Sequence, residues 1–467
     1  MYKRQGDGGD GGFGGHGDGG SSGRPQLVAT TYFKASNGEP QDGFGAASLS
    51  ADAQTLAVGA KWETSTATGV NGDESDRSAS PSGAVYVFSR SGESWSQQAY
   101  IKGDALQADL SSIGASVTLS ADGNTLATGA LSFGRDATVY LFTREGSAWR
   151  QQDRLDYPGF GDGMFGGSVS LAADGDTLAV GAFLEDSTGA VYVFTRSGDS
   201  WTEEASLQAS NAGANDTFGV SLSLAADGNT LAVGARNESS AATGVNGDQD
   251  DDSAQWAGAA YVFKRTGRIW AQEAYVKASD TTEGDLFGTA VSLSEGGDVL
   301  AVGASQQIRR GAGSVYVFAR SGSTWTYQTR VRASNPDPGD LFGTTVSLNA
   351  DGTELAVGAG NESSSAVGVD GNQADNSADG AGAVYLFGRE GGEWLQRAYV
   401  KASNADELDG FGGQGPLGFP VGLTLSADGG TLAVGAYGED GASRGVDGDQ
   451  LDNSAMESGA VYVFEFE

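Results

Sequence analysis

The stretch FGTTVSLNADGTELAVGAG, residues 342–360, decides the fold of this chain. Two short β-prone runs flank an Asp-Gly pair, which is a strong hairpin signal because both residues tolerate positive φ. Downstream, AVYLF at residues 383–387 is β-branched and aromatic and predicts a third strand. A glycine-containing turn then leads into a fourth strand near Trp394. The unit therefore predicts a four-stranded antiparallel meander.

This unit occurs seven times in the chain. Phe-Gly marks six copies, Ile113-Gly114 fills the same slot in the second unit, and successive markers lie 52 to 69 residues apart. The AVYVF-type strand is apolar on both faces and needs cover on both sides, which radial stacking of sheets provides. The six Phe-Gly markers begin at Phe44, Phe165, Phe218, Phe287, Phe342 and Phe411.

The two ends of the chain complete each other. The last unit stops at GAVYVFEFE, after its third strand, and a fourth-strand sequence, QLVATTYFKAS, lies near the beginning of the chain. Leu27 precedes Tyr32 by five residues, just as Trp95 precedes Tyr100 in the first unit. A closed ring removes the exposed strand edges that an open stack would leave. The sequence therefore predicts an all-β, closed seven-bladed β-propeller of four-stranded blades as one domain over residues 25–467.

The first 24 residues are set apart by composition. Residues 1–5, MYKRQ, resemble translated sequencing-adapter sequence, and residues 6–24 form a glycine-rich stretch expected to be a flexible, disordered linker. On this interpretation the natural N-terminus is missing, and a lipid or cell-wall anchor could precede the linker.

Composition excludes several classes of function. The chain has 27 Lys+Arg, 61 Asp+Glu, no cysteine and one histidine, His16, in the glycine-rich tail. Disulfides, cysteine nucleophiles, a Ser-His-Asp triad and multi-histidine metal sites are therefore ruled out for the body. A net charge of −34 argues against nucleic acid, whose phosphates would be repelled. No apolar run approaches the roughly 20 residues that span a membrane.

The repeat resembles that of bacterial FG-GAP repeat proteins, which are related to the integrin α-subunit propeller. FGTTVSLNADGTELAVGAG and FGGSVSLAADGDTLAVGAF, residues 165–183, carry the Phe-Gly and Gly-Ala marks of that family. The resemblance implies an extracellular, cell-surface or periplasmic bacterial protein with adhesion-like binding. The integrin calcium site lies in the hairpin between the first and second strands. Here that hairpin is short, around Asp122, Asp174, Asp227 and Asp428, so the family site is expected to be lost.

Naming the strands of a unit A to D from the axis outward places the B–C and D–A loops on one face. All inserts of about 16 residues fall in B–C loops, in units one, four, six and seven. They share a pattern of Asp or Asn, Gly, Asp or Asn, and a later Asp. Two interpretations stay open: a Ca²⁺ site built from these oxygens, or Asx/Gly turns that shape a long, solvated loop. The candidate metal ligands are Asn71, Asp73, Asp76, Asn246, Asp248, Asp251, Asp370, Asn372, Asp375, Asp447, Asp449 and Asp452.

Tryptophans occupy two kinds of position. One begins strand D in six units, where packing between blades is the favoured role; these are Trp95, Trp149, Trp201, Trp270, Trp325 and Trp394. Trp62 and Trp256 lie beside or within B–C inserts, where each could contact a ligand or fix its own loop.

These patterns favour a non-enzymatic exported binding module that engages a protein or glycan partner through its variable acidic face, with Ca²⁺ as a candidate cofactor. The alternatives are a carboxylate-dependent glycan hydrolase or lyase in the propeller channel, which needs paired acids about 5–10 Å apart, and a structural surface spacer.

Overall fold

The computed structural model describes residues 25–75, 77–78, 80–103, 112–131, 137–159, 163–306, 311–414 and 422–467. The predicted linker, residues 1–24, lies outside this part. Within it, 28 strands form seven four-stranded antiparallel sheets, and a single 3-10 turn, Glu185–Ser187, interrupts the β structure. The all-β seven-bladed propeller predicted from the repeat is confirmed.

Blades 1 to 6 use their strands in chain order from the channel outward, and the outermost strand of blade 7 is the N-terminal strand. Blade 1 consists of β2 (Phe44–Leu49), β3 (Thr55–Ala60), β4 (Ala84–Ser91) and β5 (Ser94–Ile101). Blade 2 consists of β6 (Ser112–Leu119), β7 (Thr125–Leu131), β8 (Thr138–Glu145) and β9 (Ala148–Asp156). Blade 3 consists of β10 (Phe165–Leu171), β11 (Thr177–Ala182), β12 (Ala190–Ser197) and β13 (Ser200–Leu207). Blade 4 consists of β14 (Phe218–Leu224), β15 (Thr230–Ala235), β16 (Ala259–Thr266) and β17 (Ile269–Val276). Blade 5 consists of β18 (Phe287–Leu293), β19 (Val299–Ala304), β20 (Ser314–Ser321) and β21 (Thr324–Val331). Blade 6 consists of β22 (Phe342–Leu348), β23 (Glu354–Ala359), β24 (Ala383–Glu390) and β25 (Glu393–Val400). Blade 7 consists of β26 (Leu423–Leu425), β27 (Thr431–Ala436), β28 (Ala460–Phe466) and β1 (Leu27–Phe33).

The N-terminal strand completes blade 7, as the sequence predicts. β1 pairs antiparallel with β28, with Tyr32 opposite Tyr462 and Leu27 opposite Phe466. The pairing continues past the strand ends, because the amide of Gln26 donates to the carbonyl of Glu467 at 2.9 Å. The first and last segments of the propeller therefore form one sheet, which closes the ring.

A continuous ring of backbone hydrogen bonds joins the seven A–B turns around the channel. One residue in each turn donates its amide to the carbonyl of its counterpart in the next blade, at 2.9 to 3.1 Å, and the bond from Ala427 to Ala51 closes the circle. The innermost strands would otherwise present unpaired backbone groups, so these bonds satisfy donors and acceptors that burial would make costly. The seven residues are Ala51, Ala121, Ala173, Ala226, Glu295, Ala350 and Ala427.

Two glycines of the repeat, one in the Gly-Ala pair and one in the Phe-Gly pair, let the main chains of neighbouring blades come into contact. In blade 5, a Cβ added at Gly303 would lie 1.9 Å from the carbonyl oxygen of Gly343 in blade 6. Gly343 is the glycine of the Phe-Gly pair and has φ of +92°, which L side chains rarely adopt. Similar approaches occur at Gly59 and Gly114, Gly129 and Gly166, Gly181 and Gly219, Gly234 and Gly288, and Gly358 and Gly412. The Phe-Gly and Gly-Ala marks therefore set the spacing between blades.

The short A–B hairpins are turns, as predicted. The Asp122 carboxylate accepts the Asn124 amide at 2.9 Å, and Asp174, Asp227 and Asp428 accept the amide two residues on in the same way. This Asx arrangement satisfies the turn with its own carboxylate.

Candidate binding face

The four inserts lie on the face formed by the B–C and D–A loops, and the first residue of each predicted ligand set attaches its insert to strand D. In blade 4, the side chain of Asn246 accepts the Tyr275 amide at 2.9 Å, and its own amide donates to the Tyr275 carbonyl at 2.8 Å. Val245, the residue before Asn246, forms an isolated antiparallel β-bridge with Val276, so the insert adds a short β pairing to strand D. Asn71, Asp370 and Asp447 make the same pair of bonds with Tyr100, Tyr399 and Tyr32.

The second and third residues of each set bind nearby donors. Asp248 accepts the Asp250 amide at 3.1 Å, and Asp251 accepts the Ser253 amide at 3.1 Å. Asp375 accepts the hydroxyls of Ser365 and Ser377, and these bonds hold the pKa of Asp375 below its usual value. The remaining described members follow the Asx pattern: Asp73 with Ser75, Asn372 with Ala374, Asp449 with Leu451 and Asp452 with Ser454.

Turn formation therefore accounts for the Asx/Gly pattern wherever it is described. Within the described ranges, no three Asp, Glu or His side chains are grouped as metal ligands. Asp76, a predicted ligand, lies outside those ranges. Calcium binding at the inserts stays a prediction.

A buried ion pair lies beneath each insert. In blade 4, the Lys277 ammonium donates to Glu238 at 2.7 Å, and both side chains are almost fully buried. The other carboxylate oxygen of Glu238 accepts the Tyr275 hydroxyl at 2.9 Å and the Asn211 amide group at 3.0 Å. Asn211 also accepts the Tyr261 hydroxyl at 2.7 Å. A buried charge is tolerated when it is paired and hydrogen-bonded in this way.

Asn211 connects this network to the insert and to the preceding blade. It lies in the D–A loop between β13 and β14, and its amide group also donates to the Gln249 carbonyl of the insert at 3.2 Å. One side chain thus joins the loop from blade 3, the buried glutamate of blade 4 and the insert above it. The insert is held as a defined surface by these bonds.

The buried ion pair and its bridging asparagine recur under the other three inserts. Its pairs are Glu63 with Lys102, Glu362 with Lys401, and Glu439 with Lys34. The bridging asparagines are Asn37, Asn335 and Asn404. In blade 7 the lysine, Lys34, directly follows β1 and is 405 residues from Glu439 in sequence, so this network exists only because the ring is closed.

The sequence interpretation missed these residues, although a signal was present. A Tyr-x-Lys triplet ends strand D only in the four units that carry an insert, and a glutamate follows strand B in each of them. The corresponding D strands of blades 2, 3 and 5 lead to Asp156, Gln208 and Arg332. Insert, lysine and glutamate therefore occur together.

A second set of acids is buried in the D–A loops just before the Phe-Gly pairs. Asp409 accepts the Asp406 amide at 2.8 Å, and burial, reinforced by the nearby carboxylate of Glu439, raises the pKa of Asp409 to about 7. Burial likewise raises the pKa values of Asp42, Asp216 and Asp340 to about 6. In the folded state these carboxyls therefore take up a proton at a higher pH than an exposed aspartate does.

Acidification from about pH 8 to about pH 5 is expected to stabilise the fold, and Asp409→Asn is expected to weaken that dependence. The unfolded carboxyl titrates near 4, so between about pH 4 and pH 7 the folded state holds more protons and the free energy of unfolding falls as pH rises. For Asp409, the expected change in the free energy of unfolding is about 2–3 kcal/mol. Asparagine mimics the protonated acid and still accepts the Asp406 amide.

Melting temperatures of wild type and Asp409→Asn across this pH range measure the effect. Asp449→Asn is the control, since it removes one exposed acid from the same face. Parallel profiles for wild type and Asp409→Asn would refute the assignment.

Exposed apolar side chains are found on the same face as the inserts. Among the described residues, the strongly exposed large apolar side chains lie either on outer strands or in B–C and D–A loops, and none lies in an A–B or C–D turn. Those in the loops are Leu184, Trp256, Val367, Leu408, Leu451 and Met456. Apolar groups within an acidic rim are typical of an interaction surface.

The channel offers little for carboxylate chemistry. Its described lining is made of alanine, serine, threonine, valine, leucine and glycine, with Asn349 and a single acid, Glu295, at the A–B end. The paired acids required by the glycan hydrolase alternative are not found among these lining residues.

The tryptophans that begin strand D pack between blades, as predicted. Trp149, Trp201 and Trp325 are 3 to 6 % exposed, and Trp95 is also buried. The Trp149 indole donates to Gln98 of the preceding blade at 2.8 Å. Trp270 and Trp394 are half-buried in the same role. Trp62 is half-buried and Trp256 is exposed, so the two insert tryptophans differ.

Comparisons with known proteins agree with this geometry. The FG-GAP repeat model matches residues 149–194, 201–263 and 270–318, within blades 2 to 5. No curated protein sequence matches significantly. The described part of the chain has no helix with the length and hydrophobicity needed to cross a bilayer.

Two solved structures are similar in fold. The periplasmic gluconolactonase PpgL of Pseudomonas aeruginosa aligns with a TM-score of 0.51 at 13 % identity, over 82 % of this chain and 98 % of that one. A chain of the mitotic checkpoint complex aligns with a TM-score of 0.51 at 13 % identity, over 95 % of this chain and 94 % of that one. At this identity the likeness concerns the fold alone. The repeat matches and the closed ring together show a seven-bladed β-propeller that carries FG-GAP repeats in three segments.

Proposed function

We propose that this propeller is a non-enzymatic, exported binding module that engages a protein or glycan partner through the insert face, defined as the B–C and D–A loops. The observation that carries the proposal is the buried Glu–Lys–Asn network beneath every insert. Such networks reduce the entropy that long loops lose on binding, because the loops are already ordered. A spacer without a ligand has no need of four preorganised loops.

The composition of the face supports the same proposal. Leu451 and Met456 of the blade 7 insert and Leu408 of the neighbouring loop are strongly exposed, and they lie among acids such as Asp449 and Asp452. A partner would bury the apolar groups and meet the acidic rim with basic or hydroxyl groups. Export and a cell-surface location are part of this proposal and rest on the FG-GAP repeats.

A matched pair of double variants tests the proposal. The purified propeller is screened against a glycan array and a phage-displayed peptide library, and the ligands found are titrated. Leu451→Ser/Met456→Ser, on the insert face, is expected to weaken binding by about tenfold or more. Ile269→Ser/Leu395→Ser, on outer strands with comparable exposure, is expected to leave it unchanged. Failure to find any ligand, or equal losses in both variants, would contradict the proposal.

Calcium binding at the insert face is a separate part of this proposal and is tested on its own. Calorimetric titration with Ca²⁺, and melting with and without a chelator, test it directly. Heat of binding together with a higher melting temperature in Ca²⁺ supports metal-assisted binding. The absence of both effects removes the metal while leaving the binding face in place.

A further inference from the structure

We propose that the junction between blades 7 and 1 is a binding cleft for an uncharged saccharide unit; this inference rests on the proposed function and names its ligand class. The cleft has a volume of about 630 Å³, which lies within the range of small-molecule sites. Its walls come from the D–A loop at residues 39–43 and from both ends of the inserts of blades 1 and 7. Ring closure is what brings these segments together.

Two aromatic side chains line this cleft. Trp62, from blade 1, lies against the loop, with its Cδ1 atom 3.1 Å from the position a Gly43 side chain would take. Tyr437, from blade 7, packs in the same way against the D–A loop between blades 6 and 7, with its Cε1 atom 3.0 Å from the position a Gly410 side chain would take. Both rings are half-buried and line the cleft. Rings held in place by packing can offer their faces to the C–H face of a sugar.

Polar groups surround these apolar walls. The buried Asp42 carboxylate binds Arg77 at 2.7 Å, so both groups are fixed. The Lys61 ammonium lies 5.4 Å from the Trp62 ring centre, and burial lowers the pKa of Lys61 to about 8. Glu457 lies at the rim, at the end of the blade 7 insert. A ligand that covers the rings also needs hydroxyl or amide groups to hydrogen-bond with these side chains.

The balance of charge favours an uncharged sugar. The lining has three acids and two bases, so its formal charge is 2 − 3 = −1. An acidic sugar or a phosphate would therefore be repelled, and a purely apolar ligand would leave the polar groups without partners. A neutral saccharide combines apolar C–H faces with many hydroxyl donors and acceptors.

Blade 1 differs from the other insert-bearing blades at this place. The residues equivalent to Trp62 are Asn237, Asn361 and Gly438, and those equivalent to Lys61 are Arg236, Gly360 and Tyr437. Among the described residues of the insert-bearing blades, these positions carry an aromatic residue in one blade and an aromatic residue with a lysine in the next only at the junction of blades 7 and 1. The remaining junctions therefore serve as an internal comparison.

Calorimetric titration of the full chain with chitohexaose, xylohexaose and hexagalacturonate tests the inference, after a glycan array has ranked neutral against acidic sugars. At least one neutral hexamer is expected to bind more tightly than hexagalacturonate. Trp62→Ala and, independently, Tyr437→Ala are expected to raise its Kd by about tenfold or more, as truncation of an aromatic anchor does. Trp256→Ala, which removes the other insert tryptophan, is expected to leave the Kd unchanged. Melting curves confirm that each variant is folded.

Three results would overturn the inference. The first is that no neutral saccharide binds, the second is that the acidic hexamer binds best, and the third is that Trp62→Ala and Tyr437→Ala both bind like wild type. If the third result is found while Leu451→Ser/Met456→Ser loses binding, the insert face still binds a ligand and only the cleft assignment fails.

Discussion

Replacing Lys277 with methionine is expected to lower the free energy of unfolding by about 3–5 kcal/mol. The Lys277 ammonium is fully buried and pairs with the equally buried Glu238 at 2.7 Å. Methionine fills much of the same volume but leaves the Glu238 carboxylate without a cation. The Tyr275 and Asn211 bonds remain, yet they do not neutralise the charge. The cost is therefore that of an uncompensated buried charge rather than that of a lost contact.

The double variant Lys277→Met/Glu238→Gln is the control, because it removes both charges and keeps a hydrogen-bonding side chain. It is expected to recover most of the lost stability, as measured by chemical denaturation. Hydrogen exchange adds a local readout: amides of the blade 4 insert should lose protection in Lys277→Met, and those of the blade 6 insert should not. Equal stability of wild type and Lys277→Met would show that the network does not hold the insert.

Gly303→Ala is expected to destabilise the propeller by about 3 kcal/mol or more, at the upper end of overpacking effects. The added methyl group would lie 1.9 Å from the Gly343 carbonyl oxygen, and no side-chain rotation can relieve a clash with main chain. Blades 5 and 6 would have to separate, which strains a ring that is closed at every other junction.

Gly38→Ala is the matched control for this change. Its nearest neighbour, the Ala35 carbonyl oxygen, lies 3.4 Å from the new methyl group, an ordinary contact. Thermal denaturation of the two variants should differ by several degrees or more, with Gly38→Ala close to wild type. A Gly303→Ala protein with wild-type stability would mean that the blades are not in main-chain contact there.

The repeat, the blade count and the split blade follow from the sequence because each depends on local patterns. Asp-Gly turns, apolar strand runs and the five-residue spacing shared by Leu27–Tyr32 and Trp95–Tyr100 are all short-range features. The pairing of β1 with β28 confirms the predicted closure. The position of the inserts on one face also follows, since a meander puts alternate loops at opposite ends of a blade.

The side-chain networks could not be predicted in the same way. Glu238 and Lys277 are 39 residues apart, and Asn211 comes from the loop of another blade, so their meeting depends on the packed ring. The Asp/Asn pattern of the inserts was ambiguous for a different reason. A carboxylate that binds a metal and one that caps its own turn occupy the same place in the sequence, and Asn246 and Asp248 bind backbone amides. The cleft at Trp62 was equally hidden, because Tyr437 lies 375 residues away in the chain.

Ring closure by the N-terminal strand is the central claim, since the network at Glu439 and the cleft between blades 7 and 1 both depend on it. The chain has no cysteine, so a single engineered pair reports on closure without background. Leu27 and Phe466 are directly opposed in the β1–β28 pair, within the reach of a disulfide across antiparallel strands. Leu27→Cys/Phe466→Cys should form an intramolecular disulfide under mild oxidation, and peptide mapping should find residues 27 and 466 in one linked fragment. Leu27→Cys/Leu395→Cys, with its second cysteine on the outer strand of blade 6, should not. Failure of the 27–466 pair to link in folded protein, or equal linking of both pairs, would contradict the closed ring.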